Sequence, residues 1–205
     1  MTIRLHRGDL PNLTAYKGAV AIDTETMGLD PNRDRLCVVQ LSPGDGSADV
    51  VQIAAGQSKA PNIEKLLADK SMLKIFHYAR FDLGMLAKAF GVMAEPVYCT
   101  KIASRLARTY TDKHGLKDLA REVLGVDLSK QQQSSDWGAD ALSDAQVAYA
   151  ASDVLHLHAL REKLDAMLAR ENRAGLAAAC FRFLPDRARL DLAGWAAEDI
   201  FAHTV

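Results

Sequence analysis

Apolar residues in the first half of the chain fall into short, nearly unbroken runs, whereas in the second half they recur every three to four positions. Short apolar or β-branched runs bounded by turn formers predict strands. On that basis GAVAIDTE (18–25), LCVVQLS (36–42) and ADVVQI (48–53) read as three strands, with PGDG (43–46) turning the chain between the last two. NIEKLLAD (62–69) reads as a short helix, LKIFHY (73–78) as a fourth strand and FDLGMLAKAF (81–90) as a helix stopped by Gly91. Helical spacing then takes over at 100–109, at 115–125 and in one long helix over 142–171 that Ser143 would cap. An antiparallel meander followed by a β-α crossover and a helical half predicts an α/β fold, a mixed central sheet flanked by helices. No internal repeat or low-complexity linker divides it. Residues 1–170 therefore read as one domain, and 171–205 as a helical tail of that domain.

Composition narrows the class. The 205 residues are 49% hydrophobic, enough to bury a sizeable core. With 25 Lys+Arg against 26 Asp+Glu there is no global positive field for gripping a long duplex, so any nucleic-acid partner is expected to be short or locally held. Cys37, Cys99 and Cys180 are odd in number and widely spaced, which predicts reduced thiols rather than a disulfide frame or a zinc site. The N-terminal MTIRLHRGDLPNL lacks an apolar leader, and no apolar run approaches a membrane span. A cytoplasmic protein with no membrane partner is the expectation.

The candidate chemistry begins at IDTET. Strand alternation turns Asp23 and Glu25 to the same side. With 19 Asp and 7 Glu, about 0.65 Asp-x-Glu triplets are expected by chance, so the spacing alone says little. Position says more, because acids that interrupt a buried strand must sit at its end, pair with cations or hold a metal. Asp82 opens the helix after the fourth strand, where by itself it would only complement the helix dipole. Tyr149 and Asp153, in AYAASD (148–153), stand one helical turn apart on one face. Tyr78 and Asp82 have the same spacing, and about 0.46 such pairs are expected by chance. Four acids without a Cys or His cluster make an all-oxygen donor set suited to Mg²⁺ or Mn²⁺. Two such cations are a usual clamp for phosphodiester hydrolysis.

Asp23-x-Glu25, Phe81-Asp82 preceded by His77, and Tyr149-x-x-x-Asp153, in that order and on those elements, resemble the tyrosine-type DEDD 3′-to-5′ exonucleases, the group containing ribonuclease D. The segment KQQQSSDW (130–137) before LSDAQVAYAASD adds to the resemblance, which spans about residues 18–165. It implies a ribonuclease H-like fold and a 3′-to-5′ exoribonuclease that releases 5′-mononucleotides. Asp23, Glu25 and Asp153 would hold one divalent cation, Asp23 and Asp82 a second, and Tyr149 would orient the attacking water. The histidine-type branch of that group has a His where this chain has Ala148. The chain is read as lacking the helical nucleic-acid-binding domains of ribonuclease D. Its size and tail resemble a compact branch of the family that degrades very short RNA, dinucleotides included, and that assembles into closed rings of eight subunits. A homo-oligomer, octameric by that resemblance, is therefore expected. Aromatic residues in the tail, Phe181, Phe183, Trp195 and Phe201, suit such an interface.

For substrate contacts the same resemblance offers Leu29, in the turn with Met27 and Gly28, as a wedge against terminal bases. A turn residue returning to the core is the alternative. His77, Tyr78 and Arg80 stand near Asp82 and could meet a phosphate, or His77 could be a satisfied structural histidine. Trp137 would stack on a base or plug the core. Lys101, Arg105 and Arg108 form a basic stripe or a solvated helix face. Where relatives carry Arg-Pro after the SDW segment, this chain has Asp140-Ala141. Two other functions compete: a broader ribonuclease D-like enzyme that trims longer RNA or DNA, and a non-catalytic RNA-binding module on the same fold.

Overall fold

The computed structural model describes residues 2–129 and 131–203. Among them, six strands form one sheet in the order β1-β4-β3-β2-β5-β6. β2 (Ala19–Thr26), β3 (Leu36–Ser42) and β4 (Ser47–Gln52) are the expected antiparallel meander. β1 (Thr2–Arg7) pairs parallel with β4 at one edge, and β5 (Leu73–Phe76) and β6 (Val97–Cys99) extend the other edge in parallel. The sequence reading passes over β1 and β6. β6 is three residues long, too short to show a period. β1 is an edge strand whose polar Arg4 and His6 both reach Asp49 of β4, so its stabilising contacts lie far away in sequence.

Each face of the sheet is covered. On one, Val20, Ile22, Val39 and Leu41 pack with Ile63 of α1 (Pro61–Ala68), Leu83 of α2 (Ala79–Phe90) and Leu184 of α7 (Ala174–Leu190). On the other, Ala21, Val38, Val50 and Ile75 meet Ala103 of α3 (Thr100–Ala107), Leu119 of α4 (Leu116–Leu124), Ala150 and Val154 of α5 (Asp144–Leu155), and Leu164 of α6 (Leu157–Arg170). β3 is buried along its whole length, as expected of a strand covered on both faces. This alternation sends Asp23 and Glu25 of β2 towards α5, and Thr24 towards α2.

Caps fix the ends of the two helices that carry site residues. The Ser143 hydroxyl accepts from the Gln146 backbone N–H while the Gln146 side chain accepts from the Ser143 N–H, a reciprocal box that starts α5. Gly91 ends α2 at a φ of 71°. α2 starts at Ala79 rather than 81, because Tyr78 turns through a left-handed conformation (φ 68°) directly after β5. The predicted long helix is two, broken at His156. In the tail, α7 runs unbroken through Pro185 and ends in an irregular turn, Asp191–Trp195. Cys37, Cys99 and Cys180 are free thiols. No described helix is long and apolar enough to cross a membrane.

Candidate active site

β2 ends beside α5, and that junction collects the acids. Asp23, Glu25 and Asp153 each direct a carboxylate oxygen to within 4.8 Å of the others. Asp82 enters from the first turn of α2, on the other side of β2. It is buried and accepts a 2.6 Å hydrogen bond from the Thr24 hydroxyl. The Thr24 hydroxyl, with backbone N–H groups of Thr24 and Asp82, holds the Asp82 carboxyl in place. Sequence reasoning passed over Thr24, although its place between two acids on an alternating strand already aims it at the opposite wall.

The charges explain what this arrangement is suited to hold. Burial pushes the Asp23 carboxyl well above the usual carboxylate range, and Asp82, Asp153 and Glu25 push it further. Glu25 rises to about 9, through burial first and then Asp153 and Asp82. Burial likewise raises Asp82 and Asp153. The charged groups acting on Asp23 and Glu25 are all carboxylates, so the ionised cluster repels itself unless protons or cations neutralise it. An oxygen-only donor set with this much uncompensated negative potential fits Mg²⁺ or Mn²⁺. Burial, then Asp153, Glu25 and Asp23, raise the Tyr149 phenol as well, so it stays protonated across the physiological range.

Residues 9–169 match the sequence profile of the 3′-5′ exonuclease family. The chain belongs to that family. It is also 36% identical over 169 residues to the ribonuclease D of Gluconacetobacter diazotrophicus, covering 82% of the chain and 42% of that protein. The chain spans about two fifths of the length of the curated ribonuclease D relatives it matches. Over its full length and theirs, it superposes on Brucella melitensis NrnC with bound Mg²⁺ (64% identity, TM-score 0.97) and on the same protein bound to pGG (65%, 0.97).

Around the acids, the other candidate residues divide. Leu29 is 85% exposed, and Met27 is exposed beside it. A Cβ at Gly28 would lie 2.3 Å from an Asp34 carboxylate oxygen, so a larger residue there would have to displace that side chain. Tyr78 is 49% exposed and carries the Lys101 ammonium 4.3 Å from its ring centroid, a joint aromatic and cationic surface. Three residues are placed differently from the substrate contacts offered above. Trp137 is only 4% exposed and packs against Tyr149 with ring centroids 6.0 Å apart, so it supports the phenol instead of presenting a stacking face. Among the described residues its indole nitrogen has no hydrogen-bond partner.

His77 stands 2.9 Å from the Thr100 hydroxyl and also hydrogen-bonds the His114 main chain. Burial, then Lys101, depresses it to about 3, which makes it a neutral structural ring. Arg80 is taken up by both Asp191 oxygens and by the Ala196 carbonyl, all in the tail. The basic stripe also loses a member, since Arg108 is fully buried and paired with Glu122. Asp140 and its neighbours lie in a loop whose carbonyls accept from Arg35 (at Gly138), Gln52 (at Ala139) and Arg7 (at Asp140). Lys130, the first residue of the KQQQSSDW segment, lies outside the described residues.

Proposed function

We propose that this chain is a divalent-metal-dependent 3′-to-5′ exoribonuclease that degrades short oligoribonucleotides, down to and including dinucleotides. The observation that carries the reading is the cluster of Asp23, Glu25 and Asp153 with the Tyr149 phenol alongside. The likeness to an NrnC bound to pGG supports the dinucleotide end of the range. Water adds to phosphorus, the P–O3′ bond breaks, the departing O3′ takes up a proton, and a 5′-mononucleotide leaves.

Asp23, Glu25 and Asp153 would hold one cation and Asp23 with Asp82 a second, either Mg²⁺ or Mn²⁺. Bound there, the cations supply Lewis-acid stabilisation of the charge that develops on phosphorus and on the leaving oxygen. Tyr149, kept neutral, holds the attacking water in line by hydrogen bonding, and Trp137 keeps its ring from swinging away. Leu29 and Met27 offer an apolar edge to the terminal base, and Tyr78 with Lys101 offers a stacking face and a cation to the rest of a short strand. The chain acts in the cytoplasm as a ring of eight, with the exposed Phe183, Trp195 and Phe201 of the tail at its contacts. Light scattering is expected to give the octameric mass, and a monomer would refute the ring.

The test is a cleavage time course on 5′-labelled RNAs from two to several tens of nucleotides, with matched DNAs. Dinucleotide RNA is expected to be cut fastest. Equal rates at every length, or on DNA, would favour the broader ribonuclease D-like reading. Binding without cleavage in Mg²⁺ and in Mn²⁺ would favour an RNA-binding module.

A further inference from the structure

Gln40 is a polar side chain in the middle of a buried strand, and it has no visible occupation. It is 0% exposed, and among the described residues neither its Nε2 nor its Oε1 has a hydrogen-bond partner. A buried amide with both ends unpaired is costly, and methionine or leucine would fill the space without that cost. Its direction follows from its neighbours. Val39 and Leu41 pack into the cluster with α1 and α2, so Gln40, with Val38, faces α5. There α5 presents Ala150, Ala151 and Val154. The nearby Gln146 amide is already committed, donating to the Asp136 carbonyl and accepting from Ser143. In register, Gln40 stands between Val50 of β4 and Asp23 of β2. Directly opposed residues of antiparallel strands have Cβ atoms about 4.5–5.5 Å apart, within reach of a glutamine amide.

We propose that Gln40 is a positioning residue of the metal site, its Nε2 donating to the Asp23 carboxylate, directly or through one water, when that carboxylate is engaged by cations. The inference rests on the metal-site reading above. Asp23 is the acid assigned to both cations, so each of its oxygens has a required direction. A donor fixed in the sheet beneath it sets that direction without competing for the metal, as hydrogen bonds behind ligating groups do elsewhere. Loss of such a bond typically costs about tenfold to a hundredfold in metal affinity.

Calorimetric titration of Mg²⁺ into wild type and Gln40→Met, with melting of both in chelator, tests this. The methionine variant is expected to bind Mg²⁺ at least about tenfold more weakly while its metal-free melting temperature equals or exceeds that of wild type. A purely structural glutamine predicts the opposite pattern, and unchanged Mg²⁺ affinity overturns the proposal. Where Gln40→Met melts well below wild type, a crystal structure of Mg²⁺-loaded wild type decides. Nε2 within about 3.2 Å of an Asp23 oxygen, or of a water touching one, supports the role, and an amide turned to neither overturns it. Wild type that takes up no Mg²⁺ overturns the metal-site reading itself, a failure distinct from that of Gln40.

Discussion

Asp153→Asn is expected to slow dinucleotide cleavage on the order of a thousandfold and, in the absence of metal, to make the protein melt at a higher temperature near pH 8. Both effects come from the charge. Asparagine keeps the shape of Asp153 but removes one anion from the cluster with Asp23 and Glu25, which on the proposed reading should lower affinity for the cations. The same removal relieves a repulsion: Asp153 is the first-ranked charge acting on Glu25, after burial. Glu25 sits at about 9 in the folded chain against an ordinary 4.5. Below the ordinary value both folded and unfolded chains hold the proton, and the buried cluster costs nothing extra. As pH rises through the window up to about 9, the unfolded chain ionises and the folded one resists, so metal-free stability falls. Mg²⁺, by favouring the ionised carboxylates, should restore more stability at the alkaline end of that window than at the acid end. Thermal melts in chelator across the window, with and without added Mg²⁺, check the slope, and Asp153→Asn should flatten it. Undiminished cleavage by the variant would return the cluster to a structural role.

Tyr149→Phe should divide binding from turnover. The phenol is raised by burial and by three carboxylates, so it is neither a base nor a titrating group near neutrality. What phenylalanine removes is the hydroxyl proposed to orient water, together with its hydrogen bond to Asp153. The ring that packs on Trp137 remains. Turnover should fall roughly a hundredfold, the scale at which one misplaced reactant is felt, with Mg²⁺ affinity and melting temperature close to wild type. The pH–rate profile should keep its shape, because Tyr149 does not titrate within it. Steady-state kinetics over pH, beside a Mg²⁺ titration, read all three. Unchanged turnover would leave the phenol as packing.

The meander and both helices that bring acids to it are legible in the sequence because their signals are local: buried apolar runs, Gly91 at one helix end, a capping box at Ser143. β1 is not, since its order depends on Asp49 accepting from Arg4, His6 and Tyr16 across the sheet edge. The break at His156 has neither proline nor glycine to announce it, whereas Pro185, which does look like a stop, lies inside a continuous α7. The same division runs through the site. The acids and Tyr149 show in sequence because their order matches a family pattern. The settings of His77, Arg80 and Trp137 do not, because each is decided by a group distant in sequence: Thr100 and His114, the tail, and Tyr149. Gln40 looks ordinary in LCVVQLS until the neighbouring strands are known.

The ion pair between Arg80 and Asp191 bears on where this protein can be cut. The family match stops at residue 169, which invites a minimal fragment ending there. Such a fragment would retain every carboxylate of the cluster and would pass any inspection by motif. It would lack the carboxylate that anchors Arg80, two residues ahead of Asp82 on the opening turn of α2. The freed guanidinium, with the cationic charge Asp191 had neutralised, would stand near Tyr78 and the Lys101 ammonium on its ring. Motif boundaries and mechanical boundaries thus differ here by a whole helix, and the shorter piece would be a different electrostatic object.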